Sequence, residues 1–318
     1  MDPKSARISV PTFVKWAGGK TQLLGEYRKY FPKVFERYFE PFLGSGAVFF
    51  YLKSILEKKG ASKRDFVLTD VNSVLINGFV SVRDAVNKLL SELKRHAREH
   101  HKDPRGHYYE TRQNFRTSIN KEDFPDLVNA ADFIYLNKTC FNGLYRVNSQ
   151  GKFNVPMGSY EKPSIVQERN LLKASRLLEG VELNIRPYDE VLRYATVGDF
   201  VYFDPPYQPL SKTSSFTSYT SGSFSEDDQR NLFKVFDELA KRGCLLMLSN
   251  SAAPLITDLY SGYKVEEILA KRMISCKGDG RGAIKEVIIL NTPNTSREST
   301  KSDSQENLLH DYASENRQ

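Results

Sequence analysis

Cysteine, tryptophan and long apolar runs are what this sequence has least of. Its three cysteines, spread over 318 residues, are too few for a disulfide framework or a zinc site, so we expect a reducing, cytoplasmic setting. No stretch approaches the roughly 20 apolar residues that a membrane-spanning helix needs, and the first residues lack the apolar core of a secretory signal. We therefore expect a protein that does not contact a membrane.

Acidic residues are also fewer than basic residues in this sequence. Lysine and arginine total 46 against 39 aspartates and glutamates, which gives a net charge of +7. This excess fits a polyanionic partner such as DNA but does not prove one, because many basic proteins bind no nucleic acid. The remaining proportions, 40% apolar and 27% charged residues, are ordinary for a globular protein of one or two domains.

Histidine is also scarce, and three of the five histidines lie in the basic stretch 96–105. His96 and His100 have the i, i+4 spacing of two metal ligands on one helix face. No third ligand is evident beside them and their neighbours are basic. We therefore predict a solvated basic face at this stretch and no metal site.

The stretch richest in chemistry is Asp204-Pro205-Pro206-Tyr207, which follows an apolar run at 200–203 that predicts a buried strand. Ligands of open α/β sheets bind at the carboxyl ends of strands. Asp204 can accept one N–H of an amino group and the Pro205 carbonyl a second, since the prolines form a stiff turn without N–H donors. Tyr207 offers a flat face on which a base can stack. These groups suit an exocyclic amine on an aromatic ring.

Two glycine turns precede this stretch, and the first is Trp16-Ala17-Gly18-Gly19-Lys20. With the threonine that follows, it resembles part of a phosphate-binding loop. The position where that loop needs its first glycine is Val14, so the motif fails. We predict instead a turn that lets the backbone approach a ligand, flanked by Trp16 and Lys20.

The second turn, Phe42-Leu43-Gly44-Ser45-Gly46, lies between a short predicted strand and a helix predicted from about residue 47 to 58. The next predicted strand, 66–69, ends in Asp70. An acid at this distance from a glycine turn is placed to bind the ribose hydroxyls of an adenosine. The alternative for Asp70 is a helix N-cap, and the pattern alone does not separate a dinucleotide from S-adenosylmethionine.

A β-hairpin is predicted at about 137–160. Asn148-Ser149-Gln150-Gly151 has turn chemistry, and residue types alternate on either side of it. Asparagine, arginine and aromatic residues interleave here, which suits the reading of base edges in a groove or a wedge between base pairs. A polar surface hairpin without a partner is the alternative.

Helices predicted between most strands favour a doubly wound α/β sheet. The region 81–175 interrupts the alternation, so we predict an inserted domain there, with a catalytic domain formed by 1–80 and 176–291. A loop over the site is predicted at 211–225 and a disordered polar tail at 292–318. Further strands are predicted at 182–186, 244–249, 265–269 and 286–290.

These motifs in combination resemble the Dam group of DNA adenine N6-methyltransferases, which modify adenine in GATC. Four segments carry the resemblance, in the order of the α group of amino-methyltransferases: Phe13–Lys20, Glu40–Gly46, Asn142–Tyr160 and Asp204–Tyr207. It spans roughly residues 11–291, and the hairpin is its most specific part. The resemblance implies a Rossmann-like, S-adenosylmethionine-dependent methyltransferase sheet with an inserted helical and β-hairpin target-recognition domain.

The resemblance also implies roles for individual residues. S-adenosyl-L-methionine would be contacted or enclosed by Trp16, Lys20, Phe42, Gly44, Gly46, Asp70 and Asp204. Target DNA would be contacted by Lys15, Asn142, Leu144, Arg146 and Pro156, with Phe141 as a wedge in the space left by a flipped adenine. Catalysis would depend on Asp204, Pro205, Pro206 and Tyr207. Ser159 stands where some relatives carry a basic residue, which leaves one DNA contact in question.

The expected partner is double-stranded DNA, bound by a monomer in the cytoplasm and, through the DNA, at the nucleoid. A cognate restriction endonuclease is a further partner if the protein belongs to a restriction-modification system; marking of DNA for replication or repair is the alternative. Three other interpretations stay open at this point. They are an amino-methyltransferase of another DNA site, cytosine N4 or RNA, a nucleic-acid-binding protein without catalysis, and a P-loop hydrolase, against which Val14 argues.

Overall fold

The computed structural model describes residues 9–58, 65–118, 125–210, 224–270 and 284–293. The strands of these residues form one sheet: β1 (Tyr38–Glu40), β2 (Phe66–Asp70), β3 (Glu182–Ile185), β4 (Phe200–Phe203), β5 (Leu245–Ser251), β6 (Tyr263–Ala270) and β7 (Ile284–Pro293). The helices are α1 (Leu24–Tyr27), α2 (Ala47–Lys58), α3 (Ser73–Lys102), α4 (Pro104–Ser118), α5 (Leu127–Thr139), α6 (Glu168–Leu178), α7 (Glu226–Lys241) and α8 (Pro254–Leu259). Short 3-10 helices form at Phe141–Gly143 and Tyr188–Arg193.

The strands lie in the order β3-β2-β1-β4-β5-β7-β6. The first five pair in parallel, whereas β7 is antiparallel to both β5 and β6. The chain builds outward from β1 to β3 and then returns to place β4 on the other side of β1. The strand order therefore reverses between β1 and β4, and ligands of such sheets bind at the carboxyl ends of the strands at this reversal.

Both faces of the sheet are covered by helices. On β4, Phe200 and Tyr202 enter an apolar core shared with α2, α3, α5 and α6, while Val201 and Phe203 enter a second core shared with α7 and α8. Since alternate residues of a strand point to opposite faces, two-sided burial requires continuous apolar strands of this kind. The predicted doubly wound α/β sheet is confirmed, as are the predicted helix at 47–58 and the strands that follow it.

The region predicted as an insertion is built mainly from α3, α4 and α5. Leu89 of α3 and Phe133 of α5 belong to the same apolar core as Tyr38 of β1. The packing thus runs across the predicted boundaries near residues 80 and 175, and the division into domains stays a prediction. Most of the predicted loop at 211–225 and nearly all of the predicted tail lie outside the described residues; β7 includes the first two tail residues.

The predicted basic face at 96–105 is exposed at Arg98, Lys102 and Arg105, but the prediction is wrong for two histidines. His96 and His100 are buried, with 1% and 7% of their surface exposed. His96 lies 3.1 Å from Asp132 through Nε2 and 3.0 Å from His107 through Nδ1, and His100 Nδ1 lies 2.9 Å from the Tyr135 hydroxyl. The pair faces polar partners on α4 and α5 rather than solvent. Within the described ranges, no group of three or more His, Cys, Asp or Glu side chains could hold a metal ion. Within the same ranges, no helix is both long and apolar enough to cross a membrane.

Candidate active site

Asp204 lies at the carboxyl end of β4, where the strand order reverses. Its Oδ1 lies 2.8 Å from Lys20 Nζ and accepts a 2.8 Å hydrogen bond from Ser249 Oγ on β5. Lys20 also donates to the Gly18 carbonyl at 2.6 Å, which ties the first glycine turn to this carboxylate. Among the described residues no group binds Oδ2, so this oxygen is left for a ligand.

The backbone that follows Asp204 is held by side chains from two elements. Gln229 of α7 donates to the Pro206 carbonyl at 2.9 Å, and the Gln208 N–H donates to Asn250 Oδ1 at 3.0 Å. Within the described part of the chain the Pro205 carbonyl accepts no hydrogen bond. This catalytic turn, residues 204–208, thus keeps one carbonyl free directly after the free carboxylate oxygen.

Tyr207 is fixed at its hydroxyl and over its ring. The hydroxyl donates to Glu286 Oε2 of β7 at 2.9 Å, and Lys20 Nζ lies 4.6 Å from the ring centroid. Burial, with the nearby charge of Asp204, raises the pKa of Tyr207 well above its ordinary value, so the hydroxyl stays a donor. Burial also raises the pKa of Glu286.

The second glycine turn requires its two glycines. Gly44 and Gly46 have φ of +50° and +66°, which side-chain-bearing residues rarely adopt. A Cβ on Gly44 would lie 3.0 Å from Trp16 Cδ1, and a Cβ on Gly46 would lie 3.1 Å from Phe79. Gly44 therefore lets Trp16 approach the turn, and Gly46 lets α2 start against α3.

Asp70 binds this turn from the end of β2. Its Oδ2 accepts from the Gly44 N–H at 3.2 Å and its Oδ1 from the Asn72 N–H at 2.9 Å. The N-cap of α3 is Asn72, whose Oδ1 accepts from Leu75 N–H at 3.1 Å, so the N-cap alternative for Asp70 is wrong. Each Asp70 oxygen keeps a further lone pair for a ligand hydroxyl.

An open pocket lies between the two glycine turns, lined among others by Trp16, Lys20, Glu40, Gly44 and Asp204. Burial raises the pKa of Glu40 to about 8, and its Oε2 accepts a 2.7 Å hydrogen bond from the hydroxyl of Tyr38 on β1. The pocket thus brings together residues predicted separately for the donor site and for catalysis.

An aromatic pair that the sequence did not predict lies at the carboxyl ends of β1 and β3. The Phe42 and Tyr188 rings are stacked, 5.3 Å apart and inclined by 20°. A carboxylate at the end of β2, a glycine cradle and flat rings beside them are the groups that an adenosine-bearing donor requires. The residues present therefore fit S-adenosylmethionine.

The predicted hairpin forms, with sparse pairing between its arms. Antiparallel bridges join Val147 to Phe153 and Cys140 to Met157. The turn closes where predicted, with the Asn148 N–H donating to the Lys152 carbonyl at 2.9 Å. Because the two bridges are isolated, the arms do not form regular strands.

The readout loop, residues 141–146, presents the predicted DNA-contacting side chains to solvent. Phe141 and Leu144 are 50% and 38% exposed, which is unusual for large apolar residues. Asn142 has φ +55°, and among the described residues it alone has a positive φ without being glycine. Such backbone strain concentrates at functional sites. Arg146 is exposed and its Nε donates to Asn154 Oδ1 at 2.7 Å.

Lys15 lies against this loop, although it is far away in sequence. A Cβ built on Gly143 would lie 2.2 Å from Lys15 Cδ, and Lys15 Nζ donates to the Tyr160 hydroxyl at 3.1 Å. The exposed Pro156 accepts from the Phe141 N–H at 2.9 Å through its carbonyl. Lys15 and Pro156 thus both contact the readout loop, to which the other predicted DNA-binding residues belong.

Several polar residues of the site were missed from the sequence. Ser249 and Glu286 hold Asp204 and Tyr207, and Asn137 binds both Lys15 and Gly143. A sequence signal could have pointed to Ser249, because Ser-Asn-Ser at 249–251 ends an otherwise apolar strand. In the structure all three of these residues are buried. Buried polar side chains in a row indicate partners close by.

The sequence matches a protein family over most of its length. The profile of the D12 class of N6 adenine-specific DNA methyltransferases matches residues 16–274, which is more than half of the chain.

Individual relatives align over nearly the whole chain. The type II methyltransferase M.MjaIII of Methanocaldococcus jannaschii is 43% identical over 89% of this chain and 100% of its own length. The type II methyltransferase M1.LlaDCHI of Lactococcus lactis is 39% identical over 91% and 98%. The DNA adenine methylase of Escherichia coli K12 is 34% identical over 88% and 95%.

Proposed function

Because the chain belongs to the D12 class of N6 adenine-specific DNA methyltransferases, we propose that it methylates N6 of adenine within GATC in double-stranded DNA. The base would be flipped out of the duplex and methylated directly, without a covalent enzyme intermediate. S-adenosyl-L-methionine is the methyl donor that the family implies. The observation that carries the proposal is the pair of free acceptors, Asp204 Oδ2 and the Pro205 carbonyl, at the carboxyl end of β4.

These two acceptors address the difficulty of the reaction. The lone pair of N6 is delocalised into the adenine ring, so the nitrogen is a poor nucleophile. When Asp204 and Pro205 accept both N–H groups, the nitrogen becomes more tetrahedral and its lone pair is freed. Lys20 and Ser249 hold the other Asp204 oxygen, so the carboxylate is already oriented. Its negative charge then stabilises the positive charge that develops on N6.

Tyr207 and Phe141 support the flipping of the base. An adenine inside the duplex is out of reach of the catalytic turn, so the enzyme must extrude it. Tyr207 provides a ring whose orientation is set by Glu286, and aromatic rings of this kind stack on flipped bases. Phe141 is large, apolar and half exposed at the edge of the hairpin, which suits a wedge that fills the vacated stack.

The donor pocket is assigned on the same basis. Asp70 would accept hydrogen bonds from the ribose hydroxyls, the rings of Phe42 and Tyr188 would border the adenine, and the turn from Trp16 to Lys20 would enclose the rest of the donor. Bound S-adenosylmethionine supplies a sulfonium methyl group. The chemistry proposed for the protein residues uses no metal.

Base recognition is assigned to the readout loop and Lys15. Arg146 and Lys15 are exposed and, among the described residues, form no ion pair with a carboxylate. A guanidinium held as Arg146 is by Asn154 can donate two hydrogen bonds to guanine, the commonest specific contact in the major groove. Relatives named DNA adenine methylase and the resemblance of the hairpin sequence support GATC as the target.

We propose a monomer as the active species. Relatives named type II methyltransferases favour a cognate restriction endonuclease as a partner, whereas those named DNA adenine methylases favour DNA marking. Binding should weaken as salt rises, because lysine and arginine contacts displace counterions from phosphates.

The test is transfer of labelled methyl from S-adenosylmethionine to short duplexes, one with a GATC site and others with single-base changes within it. We expect N6-methyladenine in the GATC duplex alone, and no product with Asp204→Ala. Methylation of every duplex, or of a different site only, would keep the catalytic assignment and overturn the target. Donor binding without transfer to any DNA would overturn the DNA substrate, and an RNA with the same sequence would then be tried.

A further inference from the structure

A buried side-chain amide needs a partner for each of its polar atoms, since an unpaired donor or acceptor away from water is costly. Asn137, at the end of α5, is 2% exposed and satisfies this requirement across a long sequence distance. Its Oδ1 accepts from the Lys15 N–H at 2.7 Å, and its Nδ2 donates to the Lys15 carbonyl at 2.9 Å, 122 residues away. The same Nδ2 donates to the Gly143 carbonyl at 3.0 Å.

These bonds join two segments to which base contacts are assigned. One is the backbone of Lys15, held at both its N–H and its carbonyl; the other is the centre of the readout loop. Among the hydrogen bonds of the described residues, Asn137 is the side chain that connects both. Gly143 touches Lys15 as well, because a Cβ there would lie 2.2 Å from Lys15 Cδ.

The junction also borders the donor pocket. Trp16, the residue after Lys15, lines that pocket, and its indole stacks on Tyr145 of the readout loop with ring centres 5.6 Å apart and planes inclined by 23°. Asn137 therefore lies where the donor pocket, the Lys15 backbone and the readout loop meet. A change in its hydrogen bonds would shift the two base-contacting segments relative to each other.

We infer that Asn137 is a positioning residue for target discrimination: it fixes Lys15 and the readout loop in one geometry, so that the right bases are contacted simultaneously. It touches neither DNA nor donor itself. The inference rests on the proposed function, because it presupposes that the hairpin distinguishes between base sequences. Since displacements of a fraction of an ångström weaken bidentate base contacts, loss of Asn137 should reduce discrimination more than catalysis.

Two substitutions remove its bonds in different ways. Asn137→Ala removes all three. Asn137→Asp keeps the size and the acceptor for the Lys15 N–H, but places an oxygen against the Lys15 and Gly143 carbonyls and so breaks the two other bonds.

Asn170→Ala is the matched control. Asn170 of α6 donates to the Thr12 carbonyl at 2.7 Å, 158 residues away, and so binds the same amino-terminal segment. Among the described residues its side chain forms no hydrogen bond with the hairpin. It controls for the general effect of losing a long-range amide hydrogen bond.

The measurement is kcat/KM on the preferred duplex and on its single-base variants, with donor affinity determined separately by equilibrium binding of S-adenosylmethionine. The discrimination ratio is kcat/KM on the preferred duplex divided by kcat/KM on a single-base variant. In both Asn137 variants we expect this ratio to fall about tenfold or more, which is the scale of one lost bidentate base contact. Donor affinity should change less than about threefold, and Asn170→Ala should keep the ratio within about twofold even where it lowers Tm.

Three results would overturn the inference. One is an unchanged discrimination ratio in folded Asn137 variants; another is an equal loss of rate on all duplexes together with donor affinity, which a merely structural role would give. If wild type itself does not distinguish the duplexes, the proposed target recognition fails first and this inference falls with it.

Gly143→Ala provides a second route if the Asn137 variants do not fold. A methyl group there strains a backbone at φ +65° and collides with Lys15, so it perturbs the junction without leaving a buried polar atom. We expect the same loss of discrimination with donor binding retained, and full discrimination in this variant would contradict the inference.

Discussion

The catalytic turn and the readout loop differ in how the fold holds them. The turn at 204–208 is bound by buried or half-buried polar side chains from α7, β5 and β7, which fix its carboxylate, its backbone and its aromatic ring. The readout loop at 141–146 is fixed at its backbone, and most of its side chains are exposed. In the proposed function the chemistry is the same for every adenine and needs fixed groups, whereas the groups that read the bases must remain available to a duplex.

The two regions also differ in charge. Asp204 and Asp70 place carboxylates around the pocket, on the side proposed for a cationic donor. Lys15 and Arg146 supply positive charge at the hairpin, on the side proposed for DNA. The contrast predicts that damage to the turn lowers the rate on all DNA, while damage to the loop changes which DNA is methylated.

The largest effect should come from Asp204→Asn. The amide keeps the size of the side chain but loses the charge that faces the developing cation on N6. We expect kcat to fall roughly 10³-fold or more, to a similar extent on every duplex. Equilibrium binding of S-adenosylmethionine and the circular dichroism spectrum control for the pocket and the fold. A fall restricted to one duplex would contradict the separation of the two regions.

The next effect concerns the pH dependence of stability, and it arises from Glu40 beneath the pocket. Burial raises the pKa of Glu40 from 4.5 to about 8, so the folded state keeps a proton that the unfolded state releases. The free energy of unfolding should therefore be highest below pH 4.5 with respect to this group, and fall as the pH rises towards 8.

Glu40→Gln should remove this dependence and keep the hydrogen bond from Tyr38. Relative to the variant, wild type should lose on the order of 2–4 kcal/mol between pH 5 and pH 8, measured by urea unfolding at several pH values. If the free energy of unfolding changes with pH in the same way in both proteins, Glu40 has the same pKa in the folded and unfolded states. Glu40 would then not make the folded protein more stable in acid.

Arg146→Ala tests the other region. We expect a loss of roughly 1–3 kcal/mol in discrimination at one base pair, with kcat on the preferred duplex little changed. Asn154→Ala is the matched control, because it removes the hydrogen bond that orients the guanidinium and leaves the charge in place. Its effect should be smaller. If base preference is untouched in Arg146→Ala, the loop does not lie in the groove as proposed.

What the sequence could predict was local in the chain. The strand that ends in Asp204, the glycine turn before α2 and the turn of the hairpin each depend on a few consecutive residues, and each was predicted in place. The burial of His96 could not be predicted in this way, since it depends on partners brought in by α4 and α5. The bond from Tyr207 to Glu286 spans 79 residues and needs β7 to insert antiparallel beside β5, which no local pattern specifies.

The smallest effect should come from that bond between the Tyr207 hydroxyl and Glu286. Glu286→Ala removes the acceptor that sets the ring, and one hydrogen bond contributes about 0.5–1.5 kcal/mol, so kcat should fall about three- to tenfold with discrimination unchanged. Glu286→Gln keeps an acceptor and should lose less. Tyr207→Phe removes the donor, so adding Glu286→Ala to it should cost nothing more if Glu286 acts through Tyr207. Additive losses in kcat would mean that Glu286 affects the catalytic turn by another route. That route would be through Lys20 or Asp204, whose charges also influence the pKa of Glu286.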